Sequence, residues 1–250
     1  MVEQQNIQQR LTIRTGNEEL AFAVGKPNDS GKMDFESYEV NMAISMAANL
    51  REAFTTSELL QREYQKVLIL IDAPVMMVPI EEFQEDDMET LYHACFTGQE
   101  GNIVLSNVVP TLNAVAVFAV NKDFNTVITD HFEDVCFMLT GQPVWEYLRE
   151  KGVGRAEHGE KLFAFFHDQR MEVFCFQQNR FKFFNSYNTQ HAHDALYYLL
   201  YAWKQLGFKA ESDFLYLTGE VTQRNWLVEK LHQYLQHVMT VNDADYYRKI

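Results

Sequence analysis

An aspartate at the end of an apolar strand is the first group in this 250-residue chain that could do chemistry. Asp72 closes the run Val67–Ile71 (VLILI), and clustered strand-end carboxylates hold paired metals in nucleases. Such a site wants a second aspartate on the first strand, yet Leu11–Thr15 has none. Glu52 and Glu58 fall on expected helices, where exposed glutamate is the norm. The histidines fare no better as metal ligands. His191 and His193, with Asp194, open an expected helix, and residues two apart do not share a helical face. His158 and His167 fall in expected loops, and His232 and His237 lie on the expected last helix, so solvated or capping roles are expected. Cys95, Cys136 and Cys175 are widely spaced and sit among apolar neighbours, which predicts buried, reduced thiols rather than a disulfide or metal site. The sequence contains no GxSxG elbow, no GxxxxGK[ST] loop and no HExxH helix. Neither a catalytic residue nor a metal ligand is expected from motifs alone.

The bulk composition narrows the partners. Acidic residues number 35 against 21 Lys and Arg, a net charge of −14, which opposes a phosphate backbone or an anionic membrane surface. No nucleic acid partner is therefore expected. No run approaches the roughly 20 apolar residues of a membrane-spanning helix. The N-terminal MVEQQNIQQR lacks the apolar core of a signal peptide, so a cytoplasmic location is expected. With 47% hydrophobic and 14% aromatic residues, the chain can bury a substantial core.

The elements that would position any site occur twice. Leu11–Val24 (LTIRTGNEELAFAV) reads as strand, polar turn at Thr15–Glu18, and strand. Leu162–Phe176 (LFAFFHDQRMEVFCF) repeats this around the turn His167–Arg170. A third strand follows each hairpin, at Phe35–Asn41 and Phe181–Tyr187. Helical spacing then covers Ala43–Phe54 and Thr56–Tyr64 in one half and Ala192–Leu206 in the other. Apolar strands come next, Val67–Ile71 and Phe214–Leu217. Matched elements are offset by 151 residues (Leu11 to Leu162), 146 (Phe35 to Phe181) and 147 (Val67 to Phe214). Between them lie a helix around Asp87–Phe96, strands Ile103–Val109 and Ala114–Val120, the segment Asp123–Phe132 and a helix Val144–Lys151. Gly152, Gly154 and Gly159 punctuate the loop before the second hairpin, and a last helix spans Thr222–Val238. The expected division is a first unit at residues 1–100 and a second at 101–250, with the break near Gly98–Gly101. The acidic run Glu81–Asp87 reads as a solvated helix start. The polar tail Asn242–Ile250 reads as frayed, with Tyr246 and Tyr247 free to dock.

Two tandem β-β-β-α-β-α units of the ribonuclease-H-like kind resemble the plan of the actin, sugar kinase and heat-shock ATPase superfamily. The chain looks like a bacterial family of unestablished role with an actin-like ATPase fold, an α/β architecture. It is similar, more distantly, to the actin-like proteins of type IV pilus assembly. The resemblance implies that each first hairpin turn is a phosphate loop, with glycines admitting backbone amides to phosphate and an aspartate near Mg²⁺. Thr15, Gly16 and Asn17 would then bind phosphate, Asp168 would help hold Mg²⁺, and Gly219 would pack against adenosine. The departures matter. The first turn has no aspartate, the second has no glycine, and Glu220 stands where the Gly-Gly-type adenosine turn needs its second glycine.

Two functions follow from this pattern. The first is a non-catalytic actin-like protein with no resident cofactor, acting through a protein partner held in the interunit cleft or on a strand edge. Aromatic residues of the second unit (Phe181, Phe183, Phe184 and Tyr187) could contribute to that surface. The second is an ATPase or small-molecule kinase with drifted motifs, needing ATP with Mg²⁺. Oligomeric state has no signature in the sequence.

Overall fold

The structure, a computed structural model, describes residues 10–25, 34–150, 158–177 and 180–241. The docking tyrosines Tyr246 and Tyr247, most of the N-terminal stretch, and Gly152 and Gly154 lie outside those residues. The first sheet is built from β1 (Arg10–Thr15), β2 (Glu19–Val24), β3 (Asp34–Glu39) and β4 (Lys66–Ile71). β1 and β2 form an antiparallel hairpin with Thr15 opposite Leu20, and Gly16 N–H donates to the Glu19 carbonyl at 2.9 Å to close the turn. Helix α1 (Met46–Thr56) carries the chain from β3 to β4, which lies parallel to β1. Ser45 caps the helix by accepting from Ala48 N–H at 3.2 Å.

The expected second helix at Thr56–Tyr64 does not form. Glu36 of β3 accepts from the Ser57 hydroxyl at 2.5 Å and from Leu59 N–H at 3.2 Å. These bonds tie the segment to the sheet and compete with helical pairing.

A small sheet interrupts the first unit: β5 (Val75–Pro79), α2 (Met88–Cys95), β6 (Ile103–Val109) and β7 (Ala114–Val120), in the order β5-β7-β6. Every residue of β7 is buried. Ala116 and Phe118 face the main core, while Val115 and Val117 pack with Tyr92 of α2. Helix α3 (Lys122–His131) then leads to β8 (Val135–Leu139), parallel to β4, and α4 (Gln142–Glu150) follows. The first sheet therefore runs β3-β2-β1-β4-β8 and draws strands from residues 10 to 139. The sequence-derived division at 100/101 falls inside the segment inserted between β4 and β8.

The second sheet is built on the same plan: β9 (Lys161–His167), β10 (Arg170–Gln177), β11 (Arg180–Asn188), α5 (Ala192–Gln205), β12 (Phe214–Gly219), α6 (Arg224–Leu231) and β13 (His237–Thr240). Its order, β11-β10-β9-β12-β13, matches the first sheet strand for strand. Asp194 caps α5 by accepting from His191 N–H at 3.1 Å. The last helix is shorter than its apolar spacing predicts. It stops at Leu231, and His237–Thr240 pairs parallel with Phe214–Leu217 instead. Leu235 and Val238 are buried, but the sheet edge decides how.

Both faces of the second sheet are covered. Leu162, Ala164, Phe166, Met171 and Val173 face α5 and α6, whereas Phe163, Phe165 and Phe174 join the core of the first unit. On β11, Phe183 and Tyr187 pack with the helices and Phe181 and Phe184 pack toward the first unit, so the aromatic run is half-buried between layers. The cysteines divide: Cys175 is buried as expected, but Cys95 and Cys136 are exposed.

Candidate functional site

The two hairpin turns meet. Asp168 and Gln169 form a two-residue turn with φ of 42° and 61°, which sets His167 directly opposite Arg170. Positive φ at both central positions is the type I′ geometry that suits the twist of a hairpin, here without glycine. His167 and Arg170 are thus strand ends, not loop residues. Strand alternation puts His167, with Phe163 and Phe165, on the face toward the first unit, and Glu172 lies there with Phe174.

From the first unit, Arg14 reaches across to Asp168. Its Nη2 lies 3.1 Å from Oδ2, and Asn17 Nδ2 donates to the Asp168 carbonyl at 3.1 Å. Below this contact, Arg170 Nη1 lies 3.3 Å from Oδ2 of Asp72 and its guanidinium also donates to Ser186 Oγ at 3.0 Å. His167 sits between the carboxylates, with Nε2 3.3 Å from Glu172 Oε1 and Nδ1 3.6 Å from Asp168 Oδ2. Trp145 of α4 donates from Nε1 to the other Glu172 oxygen, Oε2, at 2.6 Å. A Cβ at Gly141 would collide with that oxygen and with the indole nitrogen, so glycine makes the room for this contact.

These neighbours set the protonation states. Burial opposes a charged imidazole, but the Asp168 and Glu172 carboxylates, helped by Asp72, outweigh it and push the His167 pKa up to about 10. His167, and then Arg14, hold the Asp168 carboxyl below the usual carboxylate range against the effect of burial. Burial raises Asp72 despite Arg170 and His167 nearby. Asp72, Asp168 and Glu172 thus face the cations Arg14, Arg170 and His167 in a charge-balanced knot between the units. Asp72, His167 and Glu172 each bring a metal-ligating atom within 4.8 Å of the others.

Above the knot opens a cleft of 770 Å³, which Asn17, Asp168, Glu19, Glu39 and Glu220 help to line. Of the residues singled out in the sequence, Gly16, Asn17 and Asp168 come together. Thr15 turns away and donates to the Leu70 carbonyl at 3.3 Å. Gly219, at φ 85°, closes the adjoining wall, where a Cβ would strike the Phe166 carbonyl. Arg14, His167, Arg170, Glu172 and Trp145 were not expected there. The one local signal was a charged residue, Glu172, inside the apolar run MEVFCF.

Paired five-stranded sheets of matching order, with facing hairpin turns at their junction, define an actin-like ATPase fold. The chain belongs to the family described as Protein of unknown function (DUF3822), whose model matches residues 2–238. It is similar to a Bacteroides thetaiotaomicron VPI-5482 protein with actin-like ATPase fold and unknown function. Identity is 28% over 99% of this chain and 98% of that one, with a TM-score of 0.86. It shares its fold with a chain of the PilM-PilN type IV pilus biogenesis complex, at 10% identity over 96% and 93% of the two chains and a TM-score of 0.54. Comparison with curated proteins gives no match. Among the described residues, no helix is long and apolar enough to cross a membrane.

Proposed function

We propose that this protein uses the actin-like fold without ATP turnover, as a cytoplasmic, non-catalytic component that acts by binding another protein. The Arg14–Asp168 contact carries the reading. In an ATP-binding member of this fold the facing turns hold phosphate and Mg²⁺ between them. Here the aspartate suited to Mg²⁺ is engaged by Arg14 and flanked by His167, and the turns bond to each other. Glu19, Glu39 and Glu220 line the cleft above with exposed carboxylates, which repel a triphosphate. The residues present therefore fit Mg-ATP poorly. The likeness to the PilM-PilN complex agrees with this reading, since that fold there serves in an assembly with another protein. A partner segment would lie in the cleft or along the outer edge of β3, one of the sheet edges, where Phe35 is 56% exposed.

Thermal unfolding with millimolar Mg-ATP, and separately with ADP, tests the reading. A nucleotide at about 100 times its dissociation constant would add roughly 2.7 kcal/mol, a rise of several degrees. No rise is expected. A rise that disappears in Asp168→Ala would establish the rival reading, a nucleotide-binding ATPase or small-molecule kinase. Pull-down from cells is the companion measurement. Its signal should fall in Phe35→Ser, or in Met42→Ser at an exposed methionine that lines the cleft, with the fold intact, and recovery of no stable partner would count against the proposal.

A further inference from the structure

We propose that Asp72, His167 and Glu172 form a binding site for one divalent first-row transition-metal ion, Zn²⁺ foremost, that bridges the two units. The observation is convergence. One residue ends β4 of the first unit, two come from β9 and β10 of the second, and their ligating atoms lie within 4.8 Å of one another. His167 Nε2 and Glu172 Oε1 are 3.3 Å apart, close to the about 3.4 Å between two ligands of a tetrahedral ion with bonds of about 2.1 Å.

A second observation is independent of the carboxylates. The His167 side chain is 2% exposed, yet neither ring nitrogen makes a hydrogen bond of good geometry. Glu172 Oε1 and Asp168 Oδ2 lie at ion-pair distances of 3.3 and 3.6 Å, and neither makes a hydrogen bond with the ring. A buried polar group left in that condition calls for a missing partner such as an ion.

The surroundings suit a metal. Trp145 donates to Oε2 of Glu172 and Arg170 to Oδ2 of Asp72, so each carboxylate is oriented by a donor on one oxygen. Asp168 beside Nδ1 leaves Nε2 as the nitrogen nearer Glu172, the arrangement in which a carboxylate steadies a ligating histidine. An imidazole with two carboxylates selects zinc or manganese over magnesium, which prefers oxygen and retained water. The ion takes the place of the imidazole proton, which leaves to solvent. His167 and Arg170 line the cleft, which supplies the path of entry.

The test is isothermal titration of chelator-stripped full-length protein with Zn²⁺, repeated with Mn²⁺ and Mg²⁺. One Zn²⁺ per chain is expected, bound at least tenfold more weakly by Glu172→Gln and Asp72→Asn. Both substitutions keep side-chain size, and circular dichroism confirms their folds. X-ray absorption on the zinc-loaded native protein should show an imidazole ligand, a readout that needs no variant. No binding, binding undiminished in both variants, or a spectrum without imidazole would each overturn the proposal. None of these outcomes bears on whether nucleotide or a protein partner binds.

Discussion

Arg14 and Asp168 stand 154 residues apart in the chain and 3.1 Å apart in space, one from each hairpin. Their side chains are 29% and 18% exposed, so the contact is partly screened yet not free of desolvation cost. It joins the two hairpin turns directly, one unit to the other.

A double-mutant cycle with Arg14→Met and Asp168→Asn measures the pair. Asp168→Asn should lower stability by about 1–2 kcal/mol, with a coupling energy of about 1 kcal/mol in urea titrations. Additive losses would mean that the contact contributes nothing of its own.

Gly219→Ala should cost about 2 kcal/mol or more. The position needs φ of 85°, and the new methyl group would run into the Phe166 carbonyl and the Phe165 ring. Gly207→Ala is the control. Its φ is 74° but the space around it is open, so only the backbone penalty of about 1 kcal/mol applies. Equal losses at the two sites would refute the steric argument.

Asn49 is fully buried and ties α1 to the loop after β3. It accepts from Asn41 N–H at 2.7 Å and donates to the Asn41 and Ser45 carbonyls at 3.1 Å each. Asn49→Leu strands the Asn41 amide, while the Asn41 and Ser45 carbonyls keep the backbone N–H groups of Ile44 and residue 49 as donors, and should cost about 1–3 kcal/mol by chemical denaturation. A loss below about 1 kcal/mol would show that the loop relaxes to meet water.

Thiol labelling separates the cysteines. Cys95 and Cys136 should react promptly with an aromatic disulfide reagent in the native protein, and Cys175 only after unfolding. Burial, reinforced by Glu160, pushes the Cys175 pKa from its ordinary 9.0 to about 12. The native state therefore keeps a proton that the unfolded chain gives up. This contribution is intact below about pH 9 and is lost as pH rises from there toward 12. Cys175→Ala should flatten that part of the stability profile.

Much of the architecture was legible because it is periodic. Alternation in Leu11–Val24 and Leu162–Phe176 marked both hairpins, and the common order of elements marked the repeat. Errors fell where local spacing had a tertiary competitor. Glu36 captures the amide of Leu59 and ends a helix that apolar spacing would continue. Val238 fits a helical stripe, yet the open edge of β12 draws it into β13. Strand β8 was missed because Val135–Leu139 (VCFML) is a short apolar run without alternation, which periodicity alone does not tell from a buried helical segment.

The sequence by itself determined the twofold plan, the α/β class and the make-up of the two hairpin turns, one with glycine and no aspartate and the other with aspartate and no glycine, since each is a property of neighbouring residues. Only the tertiary structure decided what the polar residues do. His167 looked like a solvated loop residue, but a glycine-free type I′ turn keeps it in the strand, and strand alternation aims it at the first unit. There it meets Glu172 from the next strand, and it lies with Asp72 from the end of β4 within 4.8 Å. No local pattern encodes that meeting, because it depends on two sheets docking face to face, and docking follows the apolar surface of both units together.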